Sequence, residues 1–208
     1  MKYSGLDNKY KRRSHNIFKQ ILNEYSALQY PKILDVGCAS GIIGQVRASS
    51  KNVFGIELDD KLSEIAKENC EKLYKINLNN FKGSNLAENN FDFIFCGDIL
   101  EHLLDPESVL KELIPLLNEK GYIVISLPNI AQIQFRLSLL FGKFDYTEAG
   151  VLAKSHLHFY TYKTAVQFIK SAGLDIIKFF PSGTIVSYIN ILPRLLCPQL
   201  IFLCKKNK

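Results

Sequence analysis

The chain has 208 residues, 47% of them hydrophobic and 22% charged, enough for one compact domain with a substantial core and too little for a second full one. A net charge of +6 is spread along the chain apart from a cluster at Lys9, Lys11, Arg12 and Arg13 and a KKNK tail, so a nucleic-acid partner is disfavoured and the clusters read first as solvated faces. Cys38, Cys70, Cys96, Cys197 and Cys204 form no C-x-x-C pair, which argues against a zinc site and a disulfide framework and for reduced, buried small hydrophobes.

The opening residues show neither a continuous apolar run nor a small-residue cleavage site, so a secretory leader is not expected and the chain reads as cytoplasmic. Ile17, Phe18, Ile21, Leu22 and Tyr25 recur at helical spacing and predict an amphipathic helix within 9–28, ended by Pro31. KILDVG reads as a strand covered on both faces, IIGQVRAS as a short helix and NVFGIEL as a second strand. DDKLSEIAKENCEKL follows as a helix with acids at its N-terminal dipole, then LYKINL as strand three and FDFIFCG as strand four. In DPESVLKELIPLLNE, Asp105 is the predicted N-cap, Pro106 the first helical residue and Pro115 a kink. GYIVISLP, LDIIKFF and LIFLCKK complete seven strands, and their alternation with helices predicts a mainly parallel sheet with right-handed crossovers.

Residues 184–204 are apolar over about the length a bilayer requires. Arg194 near the centre, flanked by Pro193 and Pro198, excludes a spanning helix, and a short apolar helix followed by a buried strand is expected instead. Contact with a membrane surface stays open. The long connections over 130–160 and 182–198 are rich in apolar and aromatic residues, and read as lid elements, a dimer interface or added core, so the chain is expected to be a monomer or a homodimer.

In an open parallel sheet a ligand sits beyond the carboxyl ends of the strands, which is where GCASG falls. A dinucleotide fingerprint requires glycine at positions occupied by Gly37, Ala39 and Ile42, and two of the three fail. What remains is Asp35 at the strand end, Gly37 and Gly41 in the turn, and Glu57 at the end of strand two, about twenty residues on, where a carboxylate can accept from both hydroxyls of a ribose. This set describes an adenosine that bears no phosphate.

These residues resemble the class I S-adenosylmethionine-dependent methyltransferases. ILDVGCASG is similar to the first motif of that family, VFGIELD to the ribose-binding second, FDFIFCGDILEHLLDP to the strand-four motif and KGYIVISLPNI to strand five. FGKFDYTEAGVLAKSHLHFYT resembles the segment after strand five in a bacterial subgroup associated with polysaccharide and small-molecule modification. Three residues depart from the pattern: Ala39 for the central glycine, Asn77 for an acid at the adenine amino group, and His158 for an arginine.

The resemblance implies an α/β, Rossmann-like, open and mostly parallel seven-stranded sheet with helices on both faces, an antiparallel last strand and an apolar lid insertion after strand five. It implies one methyltransferase domain over 1–208, with an N-terminal helical segment over 1–30 and a lid or substrate insertion over 130–160. S-adenosylmethionine would be the cofactor and S-adenosylhomocysteine the product. Gly37, Cys38, Ala39 and Gly41 would pass around the methionine portion, Asp35 would hold its ammonium, Glu57 would clamp the ribose with Leu58 flanking the adenine, and Asn77 and Leu78 would sit at the adenine edge. Gly97 and Asp98 would lie beside the methionine tail and the sulfonium. Each has a plainer alternative: Cys38 as a small turn residue, Asp98 as a turn cap, Glu57 as a surface acid.

Asp98, Glu101 and His102 are the catalytic candidates, with His102 a base, a proton relay or a residue that fixes its loop. Tyr146, His156 and His158, with Tyr160 nearby, read as substrate contacts or as lid packing. Asp98, Glu101, His102 and His156 also resemble the metal-holding set of methyltransferases acting on RNA 3′-terminal 2′-hydroxyls and of quinone-biosynthesis O-methyltransferases, which would take Mg or Mn. The favoured reading is O-methylation of a small-molecule hydroxyl on a sugar, quinone-like or secondary-metabolite acceptor, without commitment to a metal. The alternatives are a metal-assisted RNA 2′-O-methyltransferase and a catalytically silent cofactor-binding scaffold.

Overall fold

Short, mostly apolar runs make the central strands. β1 (Ile33–Val36) and β2 (Val53–Ile56) are buried at every position, as expected of strands covered on both faces. The structure, a computed structural model, describes residues 16–183 and 192–207. With β3 (Lys72–Tyr74), β4 (Phe91–Gly97), β5 (Leu117–Pro128), β6 (Leu174–Pro181) and β7 (Gln199–Lys206) the strands form one sheet of order β3-β2-β1-β4-β5-β7-β6. The first five pair in parallel, and β7 runs antiparallel to both β5 and β6.

Because side chains alternate across a strand, the sheet has two cores. On one face Leu34, Val36, Ile56, Ile94 and Ile125 pack under α4 (Pro106–Leu113) and α6 (Tyr162–Ser171). On the other, Ile33, Phe93, Phe95 and Val124 meet Phe18, Ile21 and Leu22 of α1 (16–25), Ile43 of α2 (Ile42–Arg47) and Ala66 of α3 (Asp60–Ala66). β1 lies between β2 and β4, so the strand order reverses there, and the crevice beyond the carboxyl ends of β1 and β4 is the switch point at which such sheets bind ligands.

Four sequence expectations need correction. The helix after β2 ends at Ala66, short of the predicted 59–73, because Asn69 leaves the helix to donate its Nδ2 to Ser40 O at 3.0 Å and lays its backbone against Gly44. β3 ends at Tyr74, whose carbonyl accepts from Glu57 N, and Asn77 then caps a 3-10 turn, Leu78–Asn80, where strand was expected to run on. Pro115 does not kink a continuing helix: α4 stops at Leu113 and Pro115 is the second residue of the 3-10 turn Ile114–Leu116, where its missing N–H costs nothing. β5 begins at Leu117, ahead of the expected Gly121, with an irregularity opposite Phe91–Phe93.

The connection over 130–160 carries α5 (Ile133–Leu140), none of whose residues is buried. The 184–204 segment is described from residue 192 onward, as the short helix α7 (Pro193–Leu196) running into β7, which fits the expected helix and buried strand. Its residues 184–191, and residues 9–15 of the first predicted helix, lie outside the described residues. Among the described residues no helix is long and apolar enough to cross a membrane.

Candidate functional site

The turn after β1 has left-handed backbone at three of five residues, Gly37 (φ +68°), Ala39 (φ +48°) and Gly41 (φ +77°). Glycine is required at Gly41, where a Cβ would lie 2.6 Å from the Asn69 side chain. Ala39 adopts the same region with a side chain, and Glu57 holds it there. The Glu57 carboxylate accepts from Ala39 N at 2.9 Å through Oε2, and from Leu58 N and Asp59 N at 2.8 and 2.9 Å through Oε1. Three backbone amides thus orient this carboxylate at the end of β2; Oε1 already takes two donors, and Oε2, with one, retains a lone pair for a further donor.

Asp35 is 6% exposed, and its Oδ2 accepts from Ile43 N at 3.4 Å at the start of α2. Burial pushes its carboxyl up to about 7, against the Ile43 amide and with help from the Glu57 charge. Cys38 is buried and shares with Cys70 the space a side chain at Gly55 would fill, 2.7 and 3.0 Å from the two sulfurs. Its hydrogen bond with Cys70 and then burial keep the thiol protonated, which matches a small turn residue rather than a reactive one. Leu58 is half exposed at the crevice mouth, whereas Leu78 is buried in the core. The Oδ1 of Asn77 accepts from Asn79 N, and Asn79 in turn accepts from Leu104 N at 2.8 Å, tying this edge to the loop after β4.

That loop sits directly on the glycine turn. A Cβ at Gly37 would be 2.7 Å from the Ile99 side chain, and one at Gly97 would be 3.3 Å from the Phe18 ring. Asp98 follows in left-handed backbone (φ +53°), with Oδ1 accepting from Ser126 Oγ at 2.6 Å and Oδ2 from Gln199 Nε2 at 2.5 Å.

Glu101, His102 and His156 each bring one ligand atom to within 4.8 Å of the others. His102 Nδ1 lies 3.0 Å from Ser155 O and His156 Nδ1 lies 3.0 Å from Val151 O. A carbonyl only accepts, so both Nδ1 atoms donate, and in the neutral ring the lone pair of each histidine lies on Nε2. His156 Nε2 is 3.9 Å from Glu101 Oε1, and Glu101 Oε2 is buried with no hydrogen-bond partner. Burial first, and the Asp98 charge second, hold the Glu101 carboxyl well above the usual range, while burial and then His102 lower His156. Of the four residues in the candidate metal set, three converge, and Asp98 is turned toward β5 and β7.

Backbone bonds staple the 151–158 loop onto the β4 loop: Leu157 N and His158 N donate to Glu101 O at 2.8 and 3.2 Å. His158 Nε2 donates to Leu103 O at 2.9 Å, so this ring fastens the staple. Tyr146 is exposed and meets Phe144 and Phe159 edge-on or tilted at 5.5 and 6.4 Å, and Phe159 approaches His156 at 6.3 Å. Tyr160 is buried, with its hydroxyl held protonated by burial and the Glu101 charge. Ser126 and Gln199 were not among the sequence candidates, and no local motif marks them.

A family model described as a methyltransferase domain matches residues 10–178. The chain belongs to the class I S-adenosylmethionine-dependent methyltransferases. Two ubiquinone biosynthesis O-methyltransferases resemble this methyltransferase: that of Cupriavidus pinatubonensis is 25% identical over 71% of the chain and 61% of its own length, and that of Bordetella avium 27% identical over 76% and 65%. The chain spans less than two thirds of the length of these relatives and about half that of the Nitrosospira multiformis protein, which is 31% identical over 52% of the chain. Among solved structures, magnesium protoporphyrin IX methyltransferase from Synechocystis PCC 6803 with bound SAH superposes with a TM-score of 0.70 at 14% identity, covering all of this methyltransferase and 90% of that chain. A possible histamine N-methyltransferase from Thermotoga maritima gives 0.63 at 17% identity, covering 97% and 96%.

Proposed function

We propose that this methyltransferase transfers the methyl group of S-adenosylmethionine to a hydroxyl of a small molecule. The observation that carries the reading is the joining of two stations at one crevice: the Glu57-braced glycine turn, and the cluster of Glu101 and His102, on the loop that Ile99 seats against Gly37, with His156 of the 151–158 loop stapled to it. The names of the O-methyltransferase relatives support a hydroxyl acceptor.

On this reading Glu57 accepts from a ribose hydroxyl, Asp35 faces the methionine ammonium, and the turn's backbone admits the ligand closely. The acceptor oxygen attacks the methyl carbon, the carbon–sulfur bond breaks, the sulfonium becomes a neutral thioether, and the hydroxyl proton must leave. In the neutral ring of His102, whose Nδ1 donates to Ser155 O, the lone pair sits on Nε2, the atom that would take that proton. Transfer from a sulfonium is already downhill, so alignment and exclusion of water are the main work of the chain.

The unpartnered Glu101 Oε2 favours a second reading of the same station, in which Glu101, His102 and His156 hold a divalent cation such as Mg or Mn. A bound cation would lower the acceptor hydroxyl's pKa. The two histidines then orient the site through their Nδ1 bonds to Ser155 O and Val151 O.

Calorimetry with S-adenosylmethionine, S-adenosylhomocysteine and a nicotinamide dinucleotide is the first test, and binding of the dinucleotide alone would sink the reading. Transfer of labelled methyl to catechols, hydroxylated sugars and short RNAs then separates a small-molecule enzyme from one acting on RNA and from a silent scaffold. With an acceptor in hand, loss of turnover in chelator and its restoration by Mg or Mn selects the cation. Indifference to chelator, with a loss of about 10² to 10⁴ in kcat for His102→Ala, selects the base.

A further inference from the structure

Asp98 stands in left-handed backbone at the tip of β4, a conformation that costs a residue with a side chain some free energy, though Asp less than most, and that its surroundings help to hold. Two buried donors on strands remote in sequence contribute to that constraint. Ser126 of β5, fully buried, gives its hydroxyl to Oδ1, and Gln199, 101 residues from Asp98 at the first position of β7, gives its amide to Oδ2. Bonds of this length to a carboxylate are charge-assisted and directional. Gln199 is itself fixed: its N–H donates to Ser182 Oγ at 3.2 Å, and its carbonyl accepts from Ser182 N at 3.3 Å. Ser182 is 1% exposed and stands just past the end of β6.

The result is a polar chain from the end of β6 through the start of β7 to the tip of β4, along the edge of the sheet where the crevice opens. We propose that Gln199 and Ser126 are positioning residues. They hold the Asp98 carboxylate and, through it, the backbone at Gly97–Asp98 in the shape that receives the methionine end of the cofactor. The proposal rests on the methyltransferase reading. It gives the antiparallel strand β7, which covers the far side of β5, a direct part in the site.

The test is a double-mutant cycle read by calorimetry, with S-adenosylhomocysteine as the probe. Gln199→Met keeps the volume of the side chain and removes its donor, Ser126→Ala removes the hydroxyl alone, and Asp98→Gly removes the carboxylate while allowing left-handed backbone without strain. Gln199→Met and Ser126→Ala are each expected to weaken binding about tenfold in the wild-type chain and to change nothing in the Asp98→Gly background. An equal loss in both backgrounds would mean that the two residues act through general packing, and an unchanged affinity in the wild-type background would mean that they do not act on the cofactor end; either result overturns the proposal. Should Gln199→Met fail to fold in a thermal melt, Ser126→Ala carries the same cycle. Failure of the unsubstituted chain to bind the probe overturns the methyltransferase reading itself, and shows before any substitution is made.

Discussion

Asp35 is a carboxyl group buried at the end of the central strand, and burial raises it to about 7 from an unfolded value of about 3.9. Between those values the folded chain holds a proton that the unfolded chain has released, so stability falls as pH rises through this window, and the cost is complete above about pH 7. Asp35→Asn removes the titration, and its melting temperature relative to wild type should climb from pH 4 to pH 7 and then level off. A flat difference across that range would show that Asp35 does not titrate there. An ammonium beside Asp35 favours the charged form, so S-adenosylmethionine should bind more tightly as pH rises toward 7, with a proton released on binding. Glu57 has a different part, with three backbone amides already on its carboxylate. Glu57→Ala removes the expected ribose contact and frees Ala39 N, and should weaken cofactor binding by about 2 to 4 kcal/mol. A calorimetric constant within twofold of wild type would place the acid elsewhere.

At the scale of elements, α2 and the turn after α3 touch backbone to backbone. A Cβ at Gly44 would lie 1.7 Å from Asn69 O, and no flexible side chain stands between them to yield. Gly44→Ala gains helix propensity and still should destabilise the chain by about 1 to 3 kcal/mol or more, measured by urea unfolding, because the two segments must separate. The 151–158 loop is fastened differently, by Leu157 N, His158 N and the His158 ring on the loop after β4. His158→Ala should raise amide exchange over 151–158 and leave cofactor affinity intact. If exchange there is unchanged and only the acceptor KM rises, His158 is a substrate contact, as its position in the aromatic segment first indicated. α5 has no buried residue, with Leu137, Leu139, Leu140 and the following Phe141 all exposed.

For the whole molecule, β7 is the strand that joins β6 to the rest of the sheet. Its first six residues are buried, and it pairs with β5 on one side and β6 on the other. A chain ending at Pro198 would leave β6 without its partner and Asp98 without Gln199. It should lose the cooperative thermal transition of the full chain, as read by circular dichroism. A truncated chain that melts cooperatively would show that β1 to β5 fold without the antiparallel pair.

What the sequence by itself determined is local or strictly periodic. ILDV, VFGI and FDFIFCG are short, mostly apolar runs rich in strand-forming residues that read as strands covered on both faces, GCASG is a turn with a glycine at each end, and Glu57 lies at a spacing that the βαβ unit carries to that turn. The Glu101–His102 pair and His156 were visible as residue types. Only the family resemblance grouped them, with Asp98, as one set; the spacing does not, because the convergence of the three depends on backbone bonds from Leu157 and His158 to Glu101 that no spacing encodes. The tertiary structure also decided where helices and strands stop. Asn69 ends its helix by reaching Ser40, the β3 edge ends at the carbonyl that Glu57 N claims, and Pro115 falls within a turn because the chain must reach β5. It decided the setting of Asp98 too, two of whose donors, Ser126 and Gln199, lie on β5 and β7: a carboxylate takes its donors from whatever the fold brings within 3 Å, and the fold brought Gln199 from 101 residues away.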